Sequence, residues 1–434
     1  MFRPIKIMDI DISSSKEIVD GLNELEKYQK LKAFIRWDNI SIGYIDVPVI
    51  NGFVSGEILI NSINKEHSKK ISLINPMTRN KFNSEKTLPL ITVVVCTRNR
   101  VESLELCLSS LLNLEYPNVE IIIIDNAPAD YSTKNFVKNF SSEIIYISEP
   151  IQGLSWARNR AIKESSGEII AFTDDDVVVD KLWLNEITNV FLKEPDTMAV
   201  TGLVVPYELE TYSQQLFEIY GGFGRGFERK TYQWAPFNKE KASKYFGGTG
   251  KCGTGANMAF RKKIFNEIGF FNPALGVGTP TNGGEDLEFF FRVIKAGFPL
   301  VYEPNAVVRH RHRKSYQELK NQLTNNGIGL YSYITHALFT YKDDRSQFLY
   351  LSIWWLFYWD IKRLLLSFRN PQIFPRDLII AELKGSFLGL PRYLKSKKIV
   401  SRLAKQNNSF YANHAALTMG NNKTYLDNLK QSKL

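Results

Sequence analysis

The sequence has few cysteines and no secretory leader that can be recognised. Its 434 residues include three cysteines, Cys96, Cys107 and Cys252, and none forms a CxxC pair. Such a count favours neither a disulfide framework nor a zinc site. The first residues lack the continuous apolar core of a secretory signal. We therefore expect a reducing compartment, the cytoplasm.

Most of the chain also lacks an excess of charge of either sign. From residue 341 onward there are 16 Lys and Arg against 6 Asp and Glu, which accounts for the whole net charge of +10. The first 340 residues hold 39 charged residues of each sign. The basic character therefore belongs to the tail. No zinc-finger, RRM or basic-zipper signature accompanies it, so we expect no nucleic-acid partner.

Residues 90–320 contain apolar strands that alternate with helical patterns. The segments "LITVVVC", "VEIIIID", "EIIYIS" and "EIIAFT" are typical of buried strands, and helical spacing separates them. This alternation predicts an α/β fold in which helices flank both faces of a mostly parallel sheet. Ligands of such sheets lie beyond the carboxyl ends of the strands, so polar clusters at those ends mark the candidate site.

The other regions depart from this alternation. Residues 1–85 predict a small α+β unit of unknown role, with a capped helix over 13–35, short strands over 40–60 and a polar linker over 64–87. Residues 207–250 are rich in glycine and aromatic residues, and predict an irregular lid or acceptor loop. Residues 321–434 predict a helical, aromatic and basic C-terminal region.

Three consecutive carboxylates, Asp174, Asp175 and Asp176, follow the strand "EIIAFT". The spacing Asp174-x-Asp176 lets two carboxylates share a divalent cation while Asp175 points away, and Mg²⁺ or Mn²⁺ suits such oxygen ligands. The alternative is a solvated turn that caps the helix starting near Lys181.

A second acidic pair, Glu285 and Asp286, follows two glycines and opens a predicted helix that Gly297 ends. Carboxylates are favoured at a helix N-terminus, so simple capping is one interpretation. The other is a general base that the helix fixes in place, beside a glycine pair that lets backbone and substrate come close.

Two histidines, His310 and His312, alternate after the segment "PLVYEPNAVVR", which predicts a strand pair. On a strand they would share one face, so either could supply a nitrogen ligand to the same cation. A structural role is the alternative for each. Arg309, Arg311 and Arg313 lie beside them as phosphate contacts or surface charge.

At this point the motifs together resemble the family 2 inverting glycosyltransferases, which have the GT-A fold. The ordered set is "VVVCTRNR", "IIIIDNAP", "GLSWARNRAI", "AFTDDDVVVD" with its DxD element, "GTGANMAFRK", "GGEDLEFFFRVIKAGF" and "EPNAVVRHRHR". It spans about half of the chain, and residues 1–85 and the tail fall outside it.

The resemblance implies a role for each candidate residue. The nucleotide sugar would be bound by Thr97, Arg98, Asn99, Asp125, Arg158, Asp174 and Asp175. Asp174 and Asp176 would hold the cation on the diphosphate, with His310 or His312 as a further ligand. Asp286 would be the base, and Glu285 would contact acceptor or donor sugar. The family's first motif often reads Pro-Thr-Tyr-Asn, and its aromatic residue is missing here, which leaves the nucleotide base open.

The tail contains the most apolar segment, "QFLYLSIWWLFYWDIKRLLLSF", residues 347–368. Its unbroken apolar run covers 348–359, whereas a bilayer span needs about 20 apolar residues. Its tryptophans and tyrosines suit a membrane interface, and basic residues follow. We expect either a helix lying in the interface or a helix docked on the catalytic domain or a partner subunit.

Taken together, the residues predict an inverting, metal-dependent glycosyltransferase. It would move a sugar from a UDP-, GDP- or dTDP-linked donor to a hydroxyl acceptor, glycan or lipid-linked, in cell-surface glycan synthesis. A sugar nucleotidyltransferase is the enzymatic alternative, although its usual Gly-rich loop after the first strand is missing from "CTRNRVES". A non-catalytic membrane-associated scaffold is the non-enzymatic alternative. We expect the protein in the cytoplasm, peripheral on the cytoplasmic face of the membrane if its tail binds lipid.

Overall fold

The structure is a computed structural model, and it describes residues 2–14, 20–74, 88–234, 248–370 and 375–406. The predicted linker beyond residue 74, part of the predicted lid and the last 28 residues of the tail lie outside these ranges.

The N-terminal unit is a small α+β layer. Three strands form its sheet in the order β1-β2-β3, namely β1 (Ile5–Asp11), β2 (Lys30–Trp37) and β3 (Ile40–Pro48). Helix α1 (Gly56–Ser72) packs against it, capped by the Ser55 side chain, which accepts a hydrogen bond from the Ile58 amide at 3.2 Å.

Two sequence predictions for this unit are wrong. The predicted helix over 13–35 contains strand β2, because Leu31, Ala33 and Ile35 alternate into a core and make the segment a sheet element. The predicted linker from residue 64 begins inside helix α1, where Leu59 and Ile63 bury one face. Tertiary burial overrides the local polar composition at both places.

A larger sheet occupies the centre of the chain. Its strands are β4 (Ile91–Thr97), β5 (Val119–Asn126), β6 (Ile144–Glu149), β7 (Ile169–Asp174), β8 (Val177–Val179), β9 (Ala199–Pro206), β10 (Lys230–Tyr232), β11 (Asn257–Arg261) and β12 (Leu300–His310). The order is β10-β12-β9-β11-β7-β4-β5-β6, and β8 pairs with β12. Where a strand pair was predicted before the histidines, β12 is one long strand with an irregularity between Glu303 and Val307.

The sheet is mixed rather than mostly parallel. Strands β6, β5, β4 and β7 pair in parallel, as do β9 and β12, whereas β10, β11 and β8 pair antiparallel with their neighbours. Parallel neighbours need a long crossover. Strand β8 follows β7 after two residues, which leaves room only for a reversal of direction.

Helices cover both faces of this sheet, which confirms the predicted α/β architecture. They are α2 (Val101–Leu112), α3 (Ser132–Phe140), α4 (Leu154–Glu164), α5 (Trp183–Lys193), α6 (Tyr212–Ile219), α7 (Ile264–Ile268) and α8 (Glu285–Lys295). Alternate residues of β4 face opposite layers, with Val93 and Val95 in one buried cluster and Val94 in the other. Helix α6 shows that the predicted irregular segment 207–250 begins with regular structure.

The C-terminal region is helical, as predicted. It consists of α9 (Tyr316–Thr340), α10 (Arg345–Trp354), a π-helical stretch (Trp355–Ile361), α11 (Lys362–Ser367) and α12 (Arg376–Gln406). Tyr333 and Ile334 of α9 and Phe348 of α10 are buried in the same cluster as the sheet residue Phe172. These helices therefore dock on the central domain.

Candidate functional site

The carboxyl ends of β4, β5 and β7 lie side by side. Thr97 pairs with Asp125 across β4 and β5, and Cys96 pairs with Asp174 across β4 and β7. The polar residues that the sequence placed at strand ends therefore meet along one edge of the sheet, as expected for ligand sites in such sheets.

Asp175 is the middle residue of the acidic run. Its carboxylate is buried, accepting hydrogen bonds from the Thr97 hydroxyl at 2.7 Å and from Arg100 at 2.6 Å. Burial and the neighbouring Asp176 raise the pKa of Asp175 to about 7. The Thr97 hydroxyl and the Arg100 guanidinium thus satisfy both of its oxygens inside the fold, and its orientation away from a shared cation stays a prediction.

Arg100 was not singled out by the sequence patterns, although it lies within the quoted segment "CTRNR". Its two terminal nitrogens reach Asp175 and Asp176 at 2.6 Å and 2.9 Å. One guanidinium thus joins two adjacent carboxylates, a geometry that Lys cannot reproduce. Arg100 remains 36% exposed on its side chain, so part of the guanidinium faces the site.

Asp176 is surrounded by nitrogen groups. Besides Arg100, the Nε2 atom of His310 lies 3.3 Å from its Oδ1, and Arg313 lies 3.4 Å from its Oδ2. Burial alone would raise the pKa of Asp176, but these cationic and imidazole partners hold it below its usual value. Asp176 is therefore a buried carboxylate that stays ionised.

The two histidines form a chain that leads away from Asp176. Nδ1 of His310 lies 3.0 Å from Nδ1 of His312, and Nε2 of His312 lies 2.8 Å from the Glu218 carboxylate on α6. Only His310 of the two reaches the aspartates, whereas His312 lies behind it. Burial lowers the pKa of His312 and favours its neutral ring.

The hydrogen-bond partners assign the tautomers of this chain. Because the Glu218 carboxylate only accepts, His312 carries its proton on Nε2 and presents a lone pair at Nδ1. His310 must then donate from Nδ1, which leaves its Nε2 directed at Asp176. A proton or a metal cation between Nε2 and the carboxylate is what makes this last contact favourable.

Arg158 links the two acidic motifs. It is buried, with its guanidinium 2.9 Å from Glu285 and 3.7 Å from Asp174. The sequence resemblance implied a nucleotide contact for Arg158, but its guanidinium is enclosed by protein groups here. Burial raises the pKa of Glu285 to about 7, against the opposing effect of Arg158.

Asp286 stands at the start of α8, next to this link. Its Oδ2 accepts a hydrogen bond from the Gly255 amide at 2.9 Å, and its Oδ1 accepts one from the Leu287 amide at 2.8 Å. Both bonds fix the orientation of the carboxylate, and a general base needs such a fixed position.

The glycines before this helix let backbone come close, as predicted. A Cβ at Gly284, where φ is +90°, would come 2.6 Å from the Gly329 carbonyl oxygen of α9. The backbone that Gly284 admits is that of α9, and the approach of substrate stays a prediction. Helix α9 therefore seats the start of α8.

The remaining candidate residues lie around β4 and β5. Arg98 and Asn99 are exposed, and the Asn99 side chain accepts a hydrogen bond from the Ala129 amide at 3.1 Å. Asp125 is buried, and its Oδ2 accepts a hydrogen bond from the Tyr146 hydroxyl at 2.8 Å. Its Oδ1 has no protein partner among the described residues.

The side chains at the carboxyl end of β7 include donor atoms that suit a divalent cation, but they do not form a complete set of metal ligands among the described residues. Within the described ranges, no three His, Cys, Asp or Glu side chains are arranged to hold a metal ion. Asp174, Asp176 and His310 nevertheless supply oxygen and nitrogen donors that suit Mn²⁺ or Mg²⁺. A cation bound to two carboxylates takes its other ligands from water or phosphate oxygens.

Residues 92–269 match the family model described as "Glycosyl transferase family 2". The matched segment runs from β4 to the end of α7. Its α/β sheet, with β11 inserted antiparallel between β7 and β9, has the GT-A fold that the resemblance implied.

Two relatives of this domain come from the archaeon Haloferax volcanii. The glucosyl-dolichyl phosphate glucuronosyltransferase is 22% identical over 231 residues, covering 51% of this chain and 69% of the relative. The glycosyltransferase AglE is 26% identical over 242 residues, covering 54% and 71%.

A solved mannosyltransferase from Pyrobaculum calidifontis, in complex with GDP-Man and Mn²⁺, aligns with 79% of this chain and 83% of its own. The identity is 17% and the TM-score is 0.41.

Proposed function

We propose that the protein transfers a sugar from a nucleoside-diphosphate sugar to a hydroxyl acceptor, with inversion at the anomeric carbon. The observation that carries this proposal is the contact of the two acidic motifs through Arg158, which lies between Asp174 and Glu285, the neighbour of Asp286. An inverting transfer needs one base and a separate centre that stabilises the leaving group.

The chain's own groups suit the departure of a diphosphate. Asp174 and Asp176, with His310, would hold the divalent cation, which neutralises charge on the diphosphate when bound. Arg100 and Arg313 flank Asp176 and are each 36% exposed, so they can pair with phosphate oxygens as negative charge develops. The buried Arg158 adds fixed positive charge behind Asp174.

Asp286 is the proposed base. The acceptor oxygen forms a bond to the anomeric carbon while the bond from that carbon to the diphosphate oxygen breaks. The acceptor proton passes to the Asp286 carboxylate, and the electron pair leaves with the diphosphate. The Gly255 amide holds Asp286 in place during this transfer. Because the attack is on the opposite face from the leaving group, an α-linked donor yields a β-glycoside.

The acceptor is part of the same proposal. One relative is named as a glucosyl-dolichyl phosphate glucuronosyltransferase and another as an N-acetylglucosaminyltransferase, and these names support transfer in glycan synthesis. The UDP, GDP or dTDP identity of the donor, the choice between Mn²⁺ and Mg²⁺, and the cytoplasmic location stay predictions. The two alternatives, a sugar nucleotidyltransferase and a scaffold, are favoured by no observation in the described residues.

The test is a panel of UDP-, GDP- and dTDP-sugars, each with Mn²⁺, Mg²⁺ or EDTA. We expect one nucleotide class to raise the melting temperature in a metal-dependent way. The same class should release nucleoside diphosphate when an acceptor is added. Asp176→Ala should lose the metal-dependent rise, and Asp343→Ala, at an exposed acid, should keep it.

The anomeric signal of the product, measured by NMR, tests the stereochemistry. A product that retains the donor's configuration would overturn the inverting mechanism. Absence of stabilisation by every nucleotide sugar, with or without metal, would overturn the proposed activity itself.

A further inference from the structure

The outer face of helix α12 is unusually apolar for a surface. Four side chains spaced along it, Phe387, Leu388, Leu390 and Leu394, are 69%, 40%, 48% and 49% exposed. Large aliphatic and aromatic groups clustered on one exposed helix face mark an interaction site more often than chance exposure does. The sequence prediction of a membrane contact rests on residues 347–368 and on the basic residues that follow them, and it did not single out the apolar face of this helix.

The segment from α10 to α11 also exposes apolar side chains. They are Leu349, Tyr350, Ile353, Phe357, Tyr358, Leu365, Leu366 and Phe368. Together with the four residues of α12 they are called the apolar band below. Five of the twelve residues of the band are aromatic, and the tyrosines among them are of a type that concentrates at the boundary between lipid and water.

The inner face of helix α12 is already packed against the rest of the chain. A Cβ at Gly385 would come 2.0 Å from the Thr324 carbonyl oxygen of α9, and one at Gly389 would come 2.4 Å from the Tyr331 side chain. Leu378, Ile379 and Tyr393 of α12 are buried. The helix cannot rotate its apolar band inward without breaking this contact.

Positive charge accompanies the band. Exposed basic residues continue along α12 directly after Leu394, namely Lys395, Lys397, Lys398, Arg402 and Lys405. The acidic residues nearby are turned elsewhere, since Asp360 and Glu382 are buried and Asp377 bonds to Tyr316 and Lys320. An apolar surface bordered by uncompensated lysines complements a surface that is apolar inside and anionic outside.

No helix in the described part of the chain is long and apolar enough to cross a membrane. A helix with one apolar and one basic region can instead lie in the plane of the interface.

We propose that the apolar band and the lysines of α12 form one docking surface for a bilayer that contains anionic lipid. Apolar side chains enter the acyl boundary, and the lysines pair with lipid phosphates. A second copy of the chain fits less well, because it would bring two sets of lysines together. This inference goes beyond the proposed function and does not depend on it.

Vesicle flotation of the full-length protein tests the docking surface. Vesicles of phosphatidylcholine alone are compared with vesicles that contain about a third phosphatidylglycerol. We expect binding to the anionic vesicles that weakens with salt. Phe387→Glu/Leu390→Glu should abolish it, whereas Leu106→Glu/Leu112→Glu, at exposed leucines of α2, should not.

The charge contribution has its own pair of variants. Lys395→Gln/Lys398→Gln should lower the partition coefficient at least about tenfold, given the usual contribution of each basic residue near an anionic surface. Lys69→Gln/Lys138→Gln, at exposed lysines on the N-terminal unit and on α3, should leave it unchanged.

Light scattering on the same proteins separates lipid from a second copy as the occupant. If wild type is a dimer that ignores both vesicle types, and Phe387→Glu/Leu390→Glu makes it a monomer, the band is a self-interface and the proposal fails. It also fails if both glutamate pairs bind anionic vesicles equally. Neither failure bears on sugar transfer, which is measured with a soluble acceptor and without vesicles.

Discussion

At the residue scale, Asp286 is the proposed base. Its two amide hydrogen bonds hold one carboxylate at the start of α8, beside the link made by Arg158 and Glu285. Glu285 is less available for the same role, because its side chain is buried and Arg158 lies 2.9 Å from one of its oxygens. We therefore propose Asp286, and not Glu285, as the base.

Asp286→Asn keeps the shape of the side chain and removes its basicity. We expect transfer to fall by at least about 100-fold, the lower end of general-base contributions. Nucleotide and metal affinity should stay near wild type. Single-turnover rates and calorimetric titration measure the two quantities, and Asp343→Asn is the control at an exposed acid. A near-normal rate for Asp286→Asn would assign the base elsewhere.

Glu218 acts through two histidines. Its carboxylate accepts from His312, which orients His310 toward Asp176. Glu218→Leu removes the acceptor, so the tautomers are no longer held, and Mn²⁺ affinity should fall about 10- to 100-fold, as for other groups that orient metal ligands. Glu218→Gln retains a carbonyl acceptor and should stay close to wild type. Mn²⁺ titration followed by electron paramagnetic resonance reports both, and equal affinity in the leucine variant would make Glu218 purely structural.

At the scale of elements, the contact between α9 and α12 decides the shape of the C-terminal region. Gly327 of α9 and Gly385 of α12 let the two backbones approach, since a Cβ at Gly327 would lie 2.2 Å from the Glu382 carbonyl oxygen. Backbone atoms cannot rotate aside, unlike side chains. The same helix α9 supports Gly284 below the proposed base. Docking of α12 and placement of the active site thus share one helix.

Gly385→Val places a branched side chain in this contact. We expect the free energy of unfolding to fall by about 1–3 kcal/mol or more, the usual cost of overpacking. Lys384→Val, one position earlier on the exposed side of α12, introduces the same residue without the clash. Urea denaturation compares the two. Equal stability of the two variants would mean that the helices separate easily and that α12 is not fixed against α9.

At the scale of the whole molecule, an ion-pair cluster joins the N-terminal unit to the central sheet. Arg36 of β2 contacts Asp180 at 2.7 Å, and Arg309 of β12 reaches both Asp180 and Asp9. Arg36 and Asp180 are largely buried, so each needs its partner. Arg309 and His310 are neighbours on β12, which places this junction on one side of the strand and the proposed cation site on the other.

Arg36→Met leaves Asp180 buried beside a single remaining cation. We expect the free energy of unfolding to fall toward the lower end of the ~3–5 kcal/mol typical of a broken buried pair. Lys30→Met breaks a pair with Asp46 that is 34% and 43% exposed, so it should cost less than about 1 kcal/mol. Hydrogen exchange in β1–β3 locates the change. Similar costs for both variants would show that the junction rests on apolar contacts alone.

Local patterns determined much of the central domain. Strand and helix periodicity can be read from residues that are close together in the sequence. The strands β4, β5 and β7 and the helix α8 therefore lie where the sequence predicts them. Acids at strand ends converge because parallel strands deliver their carboxyl ends to one edge. The family resemblance rests on these same motifs.

Tertiary packing decided what the sequence could not. The hydrogen bond of His312 to Glu218 spans 94 positions, and the Arg158 contact with Glu285 spans 127. The end of the predicted helix over 13–35 belongs to strand β2 instead, because its apolar residues find their partners in a sheet. The sequence by itself therefore determined which residues carry charge and which segments are apolar, since those depend on side-chain chemistry. Which charges meet was decided only when distant segments packed together.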